Sequence, residues 1–332
     1  MLTTAAANLD SLHAQDVAWA PLLQLGRLRR LQSLCIRFQN RGGTSLPYLE
    51  RSVAGLAGLQ SLRISFFALP LPDFSFVSRL VGLTSLALVG APGMAPPAWL
   101  SSLTALTKFE ANLQLSPDNV ALLAALPSLA ELRADGGHYI EWAGGGGDGA
   151  LPAACTSVAV LRRCYAEESG LASLAAAFPG LREATEIVLV NGRGDDDDDD
   201  EDPAAMSAAP APWSSLKTLQ LERFETLEER RRAVALASLL SLLRGAGELT
   251  SLELAGGFDP FAEDTTSWSS ADVAALLAQL PRALESLTIS PVAALKDAAF
   301  TDCPFHPALV SLHLHNPYTD LRLTPTASVS LK

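Results

Sequence analysis

At 332 residues the chain is longer than one compact core usually occupies, so it is either two domains or an elongated array of repeats. Hydrophobic residues make up 48% and charged residues 18%, which excludes a mostly disordered chain, and aromatic residues are only 6%, so the core is aliphatic. The net charge is −12, yet eight acids stand in one run, Asp195–Asp202, and setting that run aside leaves −4. An acidic chain is poorly suited to a phosphate backbone, where affinity comes from Lys and Arg displacing counterions.

The first ten residues show no basic region followed by an apolar stretch, so no secretory signal is read there. Residues 1–27 are expected to form a helical cap or an incomplete repeat, with Asp16–Leu25 as the cap helix. From residue 28 leucines recur with a fixed internal spacing. Leu31-x-x-Leu34-x-Ile36 returns as Leu59-x-x-Leu62-x-Ile64 and Leu83-x-x-Leu86-x-Leu88. Leu106-x-x-Phe109-x-Ala111 and Leu129-x-x-Leu132-x-Ala134 follow with smaller last residues. A Gly-rich loop is expected over 136–149, taking in Tyr139–Trp142. Two central units are irregular. Val158-x-x-Leu161 meets Arg163 where an aliphatic belongs, and Leu181 reaches Ile187-x-Leu189 only through inserted residues around Ala184–Glu186.

The stretch 191–212, with its eight consecutive acids, is expected to be a disordered loop leaving the array. Beyond it the pattern resumes at Leu216-x-x-Leu219-x-Leu221, Leu249-x-x-Leu252-x-Leu254, Leu284-x-x-Leu287-x-Ile289 and Leu309-x-x-Leu312-x-Leu314. Helices are predicted between strands. Ser116-Pro117-Asp118-Asn119 reads as an N-cap before Val120–Leu126. Thr226–Glu229 reads as a capping box opening Arg230–Leu243, and Ser269–Asp272 opens Val273–Leu280. The longest apolar stretch, Ala233–Leu243, falls well short of the ~20 residues of a membrane span. Residues 319–332 are expected to be a C-terminal cap or tail.

About eleven such units in register over 28–318 resemble the leucine-rich repeat family, in its degenerate intracellular form found in plants and green algae. The resemblance implies an α/β solenoid, a curved horseshoe with a parallel sheet on the concave face and helices and irregular turns on the convex face. The reason is physical. Alternation along a strand sends both leucines of Leu-x-Leu to one face, and only a neighbouring unit can bury them. One departure stands out: the family favours Asn or Cys three residues past the strand, and none of the corresponding positions here carries either. The turns are therefore expected to satisfy their backbone groups by other means.

Five histidines and four well-separated cysteines compose no catalytic or zinc spacing, and no Gly-x-Ser-x-Gly, H-E-x-x-H or dinucleotide fingerprint is present. No enzymatic activity, cofactor or metal is expected. Cys303, His306, His313 and His315 are read as solvent-facing residues rather than ligands, and Cys35 as an outward thiol. If the leucines point inward, their neighbours form the concave surface, and the residues singled out for protein binding are Arg37, Arg63, Lys108, Glu110, Glu131, Arg133, Asp135, Gln220, Glu222, Glu253, His313 and His315. The surface shows no aromatic anchor. The expected partner is a protein of unspecified identity, with no nucleic acid, membrane or small-molecule substrate, and the chain is expected to be a monomer. The resemblance implies a non-enzymatic scaffold in the cytoplasm, with cytoskeletal or ciliary-axoneme assembly among its contexts. The alternative is the substrate-recognition subunit of an F-box-type ubiquitin ligase whose F-box lies outside this sequence.

Overall fold

The computed structural model describes residues 9–15, 25–38, 46–53, 55–65, 74–90, 93–116, 119–134, 140–142, 154–167, 171–190, 213–222, 229–255, 268, 270–290 and 307–314. Most of the expected cap helix, the glycine runs on either side of residues 140–142, the capping-box residues 226–228, the acidic loop and the tail lie outside them. The chain divides into two compact units, Met1–Glu141 with Ala153–Val158, and Trp142–Pro152 with Ala159–Lys332.

The first unit is a leucine-rich repeat stack. Its strands are β1 (Ser11–Gln15), β2 (Ser33–Arg37), β3 (Ser61–Ser65), β4 (Ser85–Val89), β5 (Lys108–Ala111), β6 (Gln114–Leu115) and β7 (Glu131–Arg133). They pair in parallel in the order β1-β2-β3-β4-β5-β7, with β6 off this path. The register is set by the leucines: Leu34 faces Leu62, Leu62 faces Leu86, Leu86 faces Phe109, and Phe109 faces Leu132. All five are buried, as are Ile36, Ile64, Leu88 and Ala111 one alternation further on. Covering a leucine contributes about 1.5–3 kcal/mol, and here that gain requires the adjacent coil. β1 lies ahead of the array read from residue 28, although Leu9-x-x-Leu12-x-Ala14 carries the same spacing, and it extends the ladder with Leu12 against Leu34 and Ala14 against Ile36.

Returns between these strands are short: α1 (Leu46–Val53), 3₁₀ turns at Ser75–Arg79 and Ala98–Ser102, and the single-turn α2 (Ala121–Ala124). β2, β3, β4, β5 and β7 are each entered through consecutive i→i−3 turns, as in Leu80 N–H to Val77 O and Leu83 N–H to Leu80 O, repeated at Leu103 and Leu106. The carbonyl one residue past each such turn then accepts two amides of the next coil. Gln60 O takes Thr84 and Ser85, and Thr84 O takes Thr107 and Lys108. Thr84 and Thr107 add their hydroxyls to the same row of carbonyls at 3.0 Å. These carbonyls supply a continuous ladder without any asparagine column.

The expected cap at Ser116 is met in part: its carbonyl accepts from Val120 N–H at 3.1 Å and its own N–H donates to Asn119 Oδ1 at 2.9 Å, while α2 itself begins at Ala121. The four-residue helix leaves too little length for the longer helix read from Val120 to Leu126. The loop expected over 136–149 is corrected at its centre as well. Ile140–Trp142 form a strand, β8, in which Glu141 N–H donates to Leu113 O, and Ile140 is buried. The physical reason is that Ile140 and Trp142 alternate about Glu141 and find apolar cover on one side.

The second unit repeats the plan with longer helices. β9 (Val160–Glu167), β10 (Glu183–Val190), β11 (Thr218–Glu222), β12 (Ser251–Ala255), β13 (Ser286–Ser290) and β14 (Ser311–Leu314) pair in parallel in that order. Leu219, Leu252, Leu287 and Leu312 stand in register. α3 (Leu171–Ala177), α4 (Glu229–Gly245) and α5 (Ser270–Leu277) return the chain, in line with the helices read near 230–243 and 273–280. Trp142 and Phe178 pack edge to face, and Trp142 Nε1 donates to Ser173 Oγ at 2.8 Å. Trp213 Nε1 donates to Phe178 O at 3.1 Å. No helix among the described residues is long and apolar enough to cross a membrane.

The irregular central units have a specific cause. Between inward residues β9 steps three, from Leu161 to Cys164, and β10 steps three, from Ala184 to Ile187, whereas β11 steps two, from Leu219 to Leu221. Each of the first two strands thus carries one extra residue, Arg163 and Glu186, and both sit at positive φ, 61° and 54°. Cys164, not Arg163, is the core residue of its coil. The two bulges match each other, so β9 and β10 stay paired and the discrepancy falls between β10 and β11.

Candidate interaction surface on the strand faces

In the first unit, strand alternation places three rows of side chains opposite the leucine layer. The central row reads His13, Cys35, Arg63, Ala87, Glu110, Arg133 across β1 to β7. One adjoining row reads Ser33, Ser61, Ser85, Lys108, Glu131, and the other contains Arg37, Ser65 and Val89. Small residues on β4 decide what happens next. Ala87 leaves room above it, and Arg63 Nη1 reaches over to Glu110 Oε2 at 3.1 Å, spanning from β3 to β5. Ala87 is buried beneath this bridge. On the neighbouring row Lys108 Nζ donates to Glu131 Oε1 at 3.0 Å between adjacent strands.

Five of the residues singled out by sequence, Arg63, Lys108, Glu110, Glu131 and Arg133, are therefore brought together on three strands. Arg37 lies exposed on β2. Asp135 falls outside the described residues. Within the two pairs the cation is the outer partner: side-chain exposure is 41% for Arg63 against 9% for Glu110, and 36% for Lys108 against 26% for Glu131. Glu110 is consequently a covered acceptor that holds Arg63. Arg133 is half-buried, and its Nε is covered without a hydrogen-bond partner among the described residues.

In the second unit Gln220, Glu253, Thr288 and His313 share one row, with Glu222 on the next. His313 is exposed, and His315 lies outside the described residues, as do Cys303 and His306. Among the described residues no group of three or more His, Cys, Asp or Glu side chains is placed to hold a metal ion. The twin bulge adds a feature that sequence reasoning missed. Arg162 and Arg163 both face outward, with Arg162 Nη2 on Glu183 Oε1 at 2.8 Å and Arg163 Nε on Glu186 Oε2 at 2.5 Å. Tyr165 stands half-buried on the same face, so an aromatic side chain is present there. The signal was Arg163 itself, an arginine where the pattern called for an aliphatic.

Two cysteines are inert by burial. Cys155 and Cys164 are fully covered, and desolvation pushes both thiols above their ordinary range. Cys35 differs: it is half-buried, and its Sγ lies 3.8 Å from His13 Nε2 on β1.

No protein-family model and no curated protein matches the chain. Solved structures do. An internalin from Listeria monocytogenes matches at 14% identity over 95% of this chain and 89% of its own, with a TM-score of 0.45. A leucine-rich repeat protein of Leptospira interrogans matches at 13% identity over 93% and 79%, TM-score 0.46. A chain of the Drosophila Toll–Spätzle complex matches at 14% identity over 95% of this chain and 40% of its own, TM-score 0.49. At these values the assignment of fold rests on the leucine register and the coil-to-coil hydrogen bonds described above.

Proposed function

We propose that the chain is a non-enzymatic scaffold that holds another protein on the strand face of its first unit, the side that the repeat pattern assigns to the concave surface. The observation that carries this reading is the cluster Arg63, Lys108, Glu110, Glu131 and Arg133. Its side chains stand on β3, β5 and β7 of one hydrogen-bonded sheet, with β4 between the first two, and two of its cations are already tethered to carboxylates. Side chains held this way lose little freedom when a partner docks, which removes part of the ordering cost of association. Arginine is also among the residues that dominate binding energy at interfaces.

The test compares three forms of the full chain used as bait in the same extract. One is unaltered, one carries Arg63→Gln, Lys108→Gln and Arg133→Gln together, and one carries Arg79→Gln, an exposed site on a return turn. The expected result is a protein retained by the first and third forms and lost from the second. Identical recovery by all three overturns the assignment of this face.

A further inference from the structure

We infer that the segment received by the strand face of the first unit is an acidic peptide, even though the chain as a whole carries −12. The inference rests on the scaffold reading above and names the chemistry of its partner. Four cations, Arg37, Arg63, Lys108 and Arg133, stand on β2, β3, β5 and β7, against two described carboxylates, Glu110 and Glu131. Counting charges understates the asymmetry at the Arg63 pair, where the carboxylate lies underneath. Glu110 is 9% exposed beneath an Arg63 that is 41% exposed, and Glu131 is 26% exposed beside a Lys108 at 36%. The cations are the more exposed partners, and the acids act as anchors that fix them.

The dimensions select a short segment. Adjacent strands lie about 4.8 Å apart, so the four steps from β2 to β7 cover about 19 Å, the length of about six extended residues running across the strands. The fixed, planar arginine heads suit carboxylates, which they bind through paired N–H groups. A nucleic acid backbone is the less suitable polyanion. It needs many phosphates neutralised at once to bind firmly, and this face offers four cations, at least two of them already partly neutralised. The second unit presents the opposite balance on the rows of β11 and β12, where Gln220, Glu222 and Glu253 stand with no cation among them.

The test is fluorescence anisotropy of the full chain with a labelled Glu-Gly repeat peptide of about six residues. Matched probes are a Lys-Gly peptide and an oligothymidylate of equal charge. The expected result is saturable binding of the Glu-Gly peptide that weakens roughly tenfold or more in the Arg63→Gln, Lys108→Gln, Arg133→Gln form and is unchanged by Arg79→Gln. Thermal melts confirm that each form is folded. Absence of saturable binding, equal affinity in a folded triple variant, or tighter binding of the oligothymidylate overturns the inference. Protein capture that depends on these three side chains, together with no peptide binding, sinks the acidic segment and leaves the scaffold standing. Peptide binding without such capture does the reverse.

Discussion

Leu86 is covered from both sides, by Leu62 on β3 and Phe109 on β5, and each of those is covered in turn by the coil beyond. A charge placed at this position cannot be hydrated and meets no partner, so Leu86→Asp is expected to abolish the cooperative melt of the first unit. Ser85→Asp, one residue away on the opposite face, should shift it little, because Ser85 is only half-buried. Circular dichroism melts of the two forms check this. The buried thiols add a pH dependence whose direction is fixed by burial. Desolvation raises the Cys155 and Cys164 thiols in the folded chain, so the native state holds its protons while the unfolded chain releases them above about pH 8.5. The contribution is therefore fully present below that pH and is lost progressively as pH rises above it, by up to about 1.4 kcal/mol per pH unit for each thiol. Cys164→Ala is expected to flatten the decline, read as the difference in urea midpoints between about pH 7.5 and pH 10. An unchanged slope would remove Cys164 as its source.

At the scale of elements, the twin bulge shows where the leucine code stops being sufficient. Arg163 and Glu186 occupy the left-handed region, where a β-carbon costs roughly 1–2 kcal/mol. Arg163→Gly relieves that strain while giving up an ion pair and some chain stiffness, so stability is expected to stay within about 1 kcal/mol. Arg163→Val places a β-branched side chain at positive φ and is expected to lose roughly 2 kcal/mol or more. Urea midpoints of the two variants decide; equal losses would mean that the backbone strain is not what matters. Period-two alternation after a leading leucine marks the coils of β2, β3, β4, β5, β7 and β11 to β14, because that alternation is all such a strand requires. β1 carries the same spacing, Leu9-x-x-Leu12-x-Ala14, ahead of the array read from residue 28, and β8 escapes since its three residues lie between glycine runs. Ser116 is legible as the residue whose carbonyl takes a helical amide, but nothing in the spacing says that the helix after it is only four residues long. The outward residues are legible for the same reason that the inward ones are. Their relative depth is not. Nothing in the spacing says that Arg63 reaches across Ala87 to cover Glu110, since that depends on a small residue one strand away from each.

Across the whole molecule, charge is distributed so that near and far fields disagree. An acidic ligand approaching the first unit meets four cations at contact distance, but from farther away it meets a chain of −12. Salt separates the two. At 0.01 M the screening length is about 30 Å, long enough for distant acids to repel the ligand; near 0.15 M it is about 8 Å, and only nearby groups are felt. Affinity for the Glu-Gly peptide is therefore expected to rise as salt is added from about 0.01 M to about 0.15 M, then fall as the local pairs are screened in turn. Removing Asp195–Asp202 takes eight of the acids away and leaves −4, so the rising limb should shrink while the falling limb stays. Peptide anisotropy titrated at stepped salt, with and without that run, measures both limbs. A monotonic fall from the lowest salt in the intact chain would show that the distant acids exert no net repulsion on the ligand, and that the run is electrically silent toward this face.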